Sequence, residues 1–214
     1  MIAQRDTDHG PSPDTPTTTT LDRPRTRFLK PNCPIKLGFW NVRTMTQLSK
    51  TEQVLKEMDN YGLDILALSE VRWAGAGRQN LDMGYTILHS GLEKNKEAGV
   101  AIMLSKPASK ALTKWTPISE RIITARFAGN NANLTLVACY SPTNDADDVT
   151  KDSFYNTLQA VAKDIPSHDL ICFAGDFNAK VGNDKSYCPE VLGSEGLSEV
   201  NENGTLLVDF ALQK

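Results

Sequence analysis

The feature that most constrains the fold is a strand, helix and strand pattern that begins at residue 36. The segment "KLGFWNVRT" (36–44) is predicted to form a strand, and "LDILALSE" (63–70) is predicted to form a second, buried strand. Between them, "SKTEQVLKEMDNYG" (49–62) predicts a helix whose apolar face consists of Val54, Leu55, Met58 and Tyr61. The three segments together predict a β-α-β unit with a polar residue at the end of each strand.

The predicted helix also carries residues that favour helix ends. Ser49 and Glu52 have the spacing of a capping box at the N-terminus, and Gly62 is placed to end the helix.

The rest of the chain alternates short β-rich runs with one more long helix. The runs are "GYTILHSG", "GVAIMLS", "RIITARFA" and "NLTLVACYSP", and the last two are joined by "GNNA", which favours a hairpin. A second helix is predicted from Asp148 to Asp164, with Phe154, Leu158, Val161 and Ala162 on one face. It leads into the strand "DLICFAGDFN" (169–178). Helices that flank mixed strands predict a layered α/β sandwich.

The first 33 residues differ in composition from the rest. They are rich in Thr, Pro and charged residues and poor in large apolar side chains. Such a segment buries too little apolar surface to offset its ordering entropy. We therefore predict a disordered leader at 1–33 and a single domain at 34–214.

Charge and cysteine content exclude several classes of protein. The chain of 214 residues has 23 basic and 26 acidic residues, a net charge of −3, so it lacks the broad basic face of a protein that coats DNA. Its cysteines, Cys33, Cys139, Cys172 and Cys188, form no CxxC pair, which favours a reducing compartment and no structural zinc. No membrane span or signal peptide is evident. We expect a soluble intracellular protein, in the nucleus or the cytoplasm.

Four predicted strands end in polar side chains that could form one site. These are Asn41, Glu70, Tyr140, and the pair Asp176 and Asn178. Each alone fits an ordinary strand end or turn, where Gly, Asp and Asn are common. Glu70 is the most informative, because a carboxylate that closes a buried strand needs exposure or a partner, and a divalent cation is one such partner.

The sequence resembles the endonuclease/exonuclease/phosphatase superfamily, through "NVRT", "LSEVRW", "CYSP" and "GDFNAKVG" in the family's order. The resemblance is strongest to the branch that contains craniofacial development protein 2-like proteins and the apurinic-type endonuclease domains of non-LTR retrotransposons. It implies a DNase I-like fold, a four-layered α/β sandwich of two mixed sheets flanked by helices.

The resemblance also implies roles for the residues at the strand ends. Glu70 would be a direct ligand of Mg²⁺, or of Mn²⁺ as an alternative, and Asn41 would lie beside it. Tyr140 would hydrogen-bond the scissile phosphate, while Asp176 and Asn178 would orient the attacking water. Hydrolysis of a phosphodiester needs this combination of a cation, hydrogen-bond donors and a base.

Three further residues are candidates for contact with the substrate. Arg121 could contact phosphate, although we favour a solvated strand arginine at this position. Trp73 could stack on a nucleotide or could simply pack. Asn203, in "NENG" (201–204), resembles a substrate-contacting turn of the family, but we favour a helix cap for this segment.

The family pattern includes a later Asp-His pair that this sequence does not show. The histidines are His9, His89 and His168, and none has the expected context. We therefore expect an endonuclease-like domain cut short at its C-terminus, without the last strands of the sheets. Such a domain would have a bare sheet edge that could accept a protein partner. Its oligomeric state is open.

These observations favour a Mg²⁺-dependent phosphodiester hydrolase that acts on DNA, a retrotransposon-derived endonuclease whose activity is impaired. Two alternatives stay open. One is a phosphomonoesterase or inositol-phosphate phosphatase, which the same residues could serve and which the acidic net charge slightly favours. The other is a non-catalytic binding protein that keeps the fold and has lost the base.

Overall fold

A computed structural model describes residues 18–20, 34–94, 97–184, 188–193 and 195–213. The strands are β1 (Thr19–Thr20), β2 (Leu37–Asn41), β3 (Ile65–Ser69), β4 (Ala76–Asn80), β5 (Thr86–Ser90), β6 (Val100–Leu104), β7 (Leu112–Ser119), β8 (Ile122–Phe127), β9 (Leu134–Tyr140) and β10 (Leu170–Asp176). The helices are α1 (Leu48–Asn60), α2 (Lys106–Ala111), α3 (Asp148–Asp164) and α4 (Glu202–Leu212). None of these helices is both long enough and apolar enough to span a bilayer.

The strands form two mixed sheets of five strands each. One sheet has the order β1-β7-β8-β9-β10 and the other has the order β2-β3-β6-β5-β4. The pairs β2/β3 and β9/β10 are parallel, and the remaining pairs are antiparallel.

Alternation along the strands explains why the sheets stack between helices. In β3, Ile65 and Ala67 belong to the core between the two sheets, whereas Leu66 and Leu68 pack on the side of α1. The outer face of the other sheet is covered by α3 and α4, which contribute Leu158 and Phe210 to a third apolar cluster. Helix, sheet, sheet and helix make four layers, so the predicted α/β sandwich is confirmed.

Most of the predicted long elements are confirmed. The β-α-β unit forms as expected, with Leu37 of β2 in register with Ile65 of β3. Helix α3 has the predicted bounds, and the Asp147 side chain caps it by accepting a hydrogen bond from the Thr150 amide. Strands β8 and β9 form the predicted antiparallel hairpin.

The predicted capping box of α1 is wrong. The helix begins at Leu48, its N-cap residue is Gln47, and no side chain caps it. Ser49 lies inside the first turn and so cannot occupy the cap position. Tyr61, placed on the apolar face by its spacing, is 69% exposed because it follows the helix. The predicted stop is confirmed, since Gly62 has a φ of +59° that favours glycine.

Three elements of the predicted domain at 34–214 escaped prediction. Strand β4 reads "AGRQN" and lacks apolar alternation, α2 has only six residues, and β7 contains Pro117. Most of the segment predicted as a disordered leader lies outside the described residues. Residues 18–20 are described, and Thr19 and Thr20 pair with Trp115 and Lys114 of β7 as a two-residue strand.

Each sheet presents an exposed edge strand on the same side of the sandwich. Among the described strands, β2 pairs only with β3, and β10 pairs only with β9. Large apolar side chains are exposed there, including Trp40 at 44% and Leu170 at 55%.

A buried ion pair joins strands of the first sheet at the end where β10 begins. Asp169 accepts two hydrogen bonds from Arg126, at 2.6 Å from Nε and 2.8 Å from Nη2, and one from the Thr135 hydroxyl at 2.7 Å. The Asp169 side chain is only 1% exposed. The hydrogen bonds from Arg126 outweigh the effect of burial and lower the pKa of Asp169.

We predict that Asp169→Asn lowers the free energy of unfolding by about 3 kcal/mol, because it leaves Arg126 without its counterion. Since the folded-state pKa of Asp169 is depressed, its contribution is present above its unfolded-state pKa and is lost as pH falls through the folded-state value. Urea unfolding between neutral pH and pH 3 should therefore show a weaker pH dependence in Asp169→Asn. Asp164→Asn, at an exposed helix end, is the matched control. Equal stability of the two variants would contradict this role.

Candidate active site

The candidate site lies where β2, β3, β9 and β10 end. Parallel pairing brings the carboxyl ends of paired strands to one edge, and Asn41 lies in register with Ser69 just as Asp176 does with Tyr140. The two sheets face each other at this edge, where a hydrogen bond joins Asn41 of one sheet to Asp176 of the other.

The Asn41 side chain connects two carboxylates. Its Nδ2 donates to Glu70 Oε1 at 2.8 Å and to Asp176 Oδ2 at 2.9 Å. The two acceptor oxygens therefore lie within about 6 Å of each other. Its Oδ1 accepts a hydrogen bond from the Arg43 amide at 3.0 Å. Asn41 thus lies beside the carboxylates, and its nitrogen, not its oxygen, faces them.

Glu70 accepts hydrogen bonds from three side chains. Besides Asn41, the Tyr140 hydroxyl donates to Oε1 at 3.1 Å and Arg72 Nη2 donates to Oε2 at 3.1 Å. Burial alone would raise the pKa of Glu70, but these donors outweigh it, so the pKa is lowered and the carboxylate stays ionised at neutral pH.

Tyr140 is held in place by Arg121. The guanidinium carbon lies 5.2 Å from the centre of the Tyr140 ring, and Arg121 Nη1 donates to the Tyr140 carbonyl at 3.3 Å. Burial and the nearby charge of Glu70 raise the pKa of Tyr140, so its hydroxyl keeps its proton and remains a donor. The structure therefore makes Arg121 a support for Tyr140 rather than a freely solvated strand residue, and its Nε also lies 3.7 Å from a Glu120 carboxylate oxygen. Its contact with phosphate stays a prediction.

Asp176 and Asn178 converge through a turn. Strand β10 ends at Asp176, and Asn178 has a φ of +49°, so strand alternation does not govern its direction. The Asn178 amide donates to Asp176 Oδ1 at 3.0 Å, and its Nδ2 donates to the Ser141 carbonyl at 2.9 Å. The turn fixes both side chains near the end of β9.

The "NENG" segment (201–204) holds this turn through hydrogen bonds to the Asn178 carbonyl. Asn201 caps α4 by accepting a hydrogen bond from the Gly204 amide at 2.8 Å, which confirms the favoured helix cap. Asn203 is fully buried and donates to the Pro142 carbonyl at 2.9 Å, a position that does not favour substrate contact, and its role as a substrate contact stays a prediction. Both side chains also donate to the Asn178 carbonyl, at 2.9 Å from Asn201 and 3.4 Å from Asn203.

Trp73 packs beside the site. Its indole nitrogen donates to the Met45 carbonyl at 2.8 Å, and its ring meets the His89 ring edge-on at 5.2 Å. It also lines a cleft of about 560 Å³ together with Thr46 and Gln79. The packing alternative therefore describes the ring, although the cleft leaves its prediction as a nucleotide contact open.

Neither described histidine belongs to the site. His89 is buried on β5, its Nδ1 makes no hydrogen bond, and burial lowers its pKa. His168 precedes β10, at the opposite end from Asp176, and a strand of seven residues spans about 20 Å. His9 lies outside the described residues.

The oxygen atoms at the strand ends suit a hard divalent cation. Mg²⁺ binds through one or two carboxylates and keeps several waters. Glu70 and Asp176 supply two carboxylates within reach of one another, although no group of three or more His, Cys, Asp or Glu forms among the residues that the structure describes. The residues therefore fit Mg²⁺ with water completing its shell.

Sequence reasoning missed Arg72, which contacts Glu70. The only sequence signal was its spacing of two residues after the carboxylate in "EVR" (70–72).

Comparison with known proteins agrees with this geometry. Residues 38–187 match the Endonuclease/Exonuclease/phosphatase family. Craniofacial development protein 2 of Tragulus javanicus is 36% identical over 174 residues, covering 81% of this chain and 30% of that protein. The protein of the same name from Bos taurus is also 36% identical over 174 residues, covering 81% of this chain and 29% of its own length. The chain thus spans under a third of these relatives.

Solved structures share the fold at lower identity. The endonuclease domain of TRAS1, a telomere-specific non-LTR retrotransposon, superposes with a TM-score of 0.54 at 16% identity, covering 85% of this chain and 72% of that one. AP endonuclease LMAP from Leishmania major gives 0.55 at 15% identity, covering 84% and 66%. With its matched sequence and its two-sheet sandwich, the chain belongs to the endonuclease/exonuclease/phosphatase family.

Proposed function

We propose that the chain carries a Mg²⁺-dependent phosphodiester hydrolase site of the endonuclease type, with DNA as its substrate. The observation that carries this proposal is the hydrogen-bonded group of Asn41, Glu70, Tyr140 and Asp176 at one edge of both sheets. It combines ionised oxygen ligands with a protonated phenol, the groups that hydrolysis of a phosphodiester requires.

Each side chain has a role that its contacts support. Glu70 would hold Mg²⁺, which neutralises charge that develops on the phosphate. Tyr140, kept protonated by its surroundings, would donate to a non-bridging phosphate oxygen. Asp176, oriented by Asn41 and by the Asn178 amide, would accept a hydrogen bond from the attacking water. Asn178 would donate to the same phosphate or water.

Three observations support DNA as the substrate. Relatives of the same fold are named endonucleases, including the TRAS1 domain and the Leishmania AP endonuclease. The net charge of −3 fits binding of nucleic acid that is limited to the site rather than spread over a broad basic face. The cleft beside Trp73 adds a surface on which a nucleotide could stack.

We further propose that this form of the chain hydrolyses its substrate slowly. None of the histidines of this sequence follows Asp176, and the described ones, His89 and His168, lie away from it. Loss of a general acid or base typically lowers a rate by about 10²- to 10⁴-fold. The same observation favours a second candidate function, a binding protein that keeps Glu70 and Asn41 but does not hydrolyse its ligand.

Mg²⁺ or Mn²⁺ should raise the melting temperature of the chain, because a ligand that binds only the folded state stabilises it. Glu70→Gln should remove most of this rise, since it replaces the ionised ligand by a neutral amide of the same shape. Glu190→Gln, at an exposed position, is the matched control and should respond as the wild type does. Equal shifts in Glu70→Gln and the wild type would refute the assignment of Glu70.

The purified chain should nick supercoiled DNA at least about 10²-fold more slowly than a chimera that adds the Asp-His segment of a family endonuclease. Asp176→Asn should abolish nicking by the chimera, because that carboxylate orients the water, and should change the slow rate of the unmodified chain little. Asp164→Asn serves as the control. Rapid Mg²⁺-dependent nicking by the unmodified chain would contradict the proposed impairment.

A further inference from the structure

The Glu70 carboxylate already has a cationic partner in the chain itself. Arg72 Nη2 lies 3.1 Å from Oε2, while Asn41 and Tyr140 both donate to Oε1. Oε2 is therefore the oxygen that faces a positive charge. The Arg72 side chain is 43% exposed, so this partner can move toward solvent.

The backbone holds Arg72 toward Glu70. Both residues have left-handed conformations, with φ of +56° for Glu70 and +58° for Arg72, which non-glycine residues rarely adopt. Between them Val71 is fully buried, and its amide donates to the Gly99 carbonyl. The Arg72 amide donates to the Ala98 carbonyl. These anchors fix a turn in which residues 70 and 72 meet.

Gly99 is required for that anchoring. A side chain at Gly99 would place its Cβ 2.9 Å from the Arg72 amide nitrogen, and the φ of Gly99 is +108°. Its own amide donates to the Glu120 carbonyl, next to Arg121. The turn that contains Arg72 is thus linked through Gly99 to the backbone beside Arg121, which supports Tyr140 in the site.

The Arg72 guanidinium also has a hydrogen-bond donor without a partner. Its Nε is buried and makes no hydrogen bond, although a guanidinium has five N–H donors. Such a group can exchange one anionic partner for another, and it matches the oxygens of a phosphate well.

We propose that Arg72 is an internal counterion of Glu70, which a divalent cation displaces and which then binds a phosphate oxygen of the substrate. A divalent cation bound to Glu70 and the Arg72 guanidinium at Oε2 repel each other. Binding of the cation therefore weakens the ion pair between Arg72 and Glu70. Once a phosphodiester accepts the released guanidinium, that repulsion is relieved. Cation and phosphate therefore bind cooperatively, by linkage through Arg72. This inference rests on the cation site of the proposed function.

Arg72→Gln should bind Mn²⁺ about threefold to fivefold more tightly than the wild type, a range set by the modest strength of partly exposed ion pairs. Calorimetric titration of the full chain measures this without reference to activity. Thymidylyl-thymidine, a simple phosphodiester, should tighten Mn²⁺ binding by the wild type and should have little effect in Arg72→Gln.

Arg78→Gln is the control for the change in net charge. It removes an exposed arginine from β4, three strands away from β3 in the sheet, and should bind Mn²⁺ as the wild type does. If Arg72→Gln does not fold, as judged by circular dichroism, Arg72→Met carries the same test, because it keeps an unbranched stem and removes the charge.

The outcomes separate the two proposals. If Glu70→Gln binds Mn²⁺ as tightly as the wild type, the cation site itself is wrong. If Glu70→Gln loses binding while the neutral Arg72 variant binds no more tightly than the wild type, the cation site stands and the counterion role is overturned. If thymidylyl-thymidine still tightens Mn²⁺ binding by the neutral Arg72 variant, the proposed cooperativity between cation and phosphate is overturned.

Discussion

The arrangement of the site depends on one amide that reaches between the sheets. Asn41 Nδ2 donates both to Glu70, which follows β3, and to Asp176, which ends β10 of the opposite sheet. Without this donor, two carboxylates within about 6 Å would face each other with no shared partner and would repel. Asn41 therefore holds the Glu70 and Asp176 carboxylates, one from each sheet, close together by donating a hydrogen bond to both.

Each sheet supports its side of this junction with different contacts. On one side, the left-handed turn after β3 directs Arg72 to Glu70. On the other, α4 begins directly beneath the Asn178 turn, and Asn201 and Asn203 donate to its carbonyl. The buried end of α4 thus fixes the Asn178 turn through hydrogen bonds to its backbone, and Asn203 is fully buried in this arrangement.

The sequence predicted the features that follow from strand alternation and parallel pairing. Glu70 and Asp176 were identifiable because a polar residue ends an apolar run in each case. Arg72 was not, because its direction depends on positive φ values at non-glycine residues, which no periodic pattern encodes. The capping-box prediction at Ser49 was wrong because spacing alone does not fix where a helix begins. The burial of Asn203 was not predictable, because it depends on the packing of α4 against a turn that is distant in the sequence.

We propose that Glu70 holds a divalent cation at the junction of the two sheets. Crystals soaked in Mn²⁺ test it most directly, since anomalous scattering locates the ion without assumptions about its ligands. We expect a peak within about 2.3 Å of a Glu70 carboxylate oxygen, with water in the remaining positions. A well-occupied Mn²⁺ site elsewhere, with Glu70 still bonded only to Asn41, Tyr140 and Arg72, would contradict it.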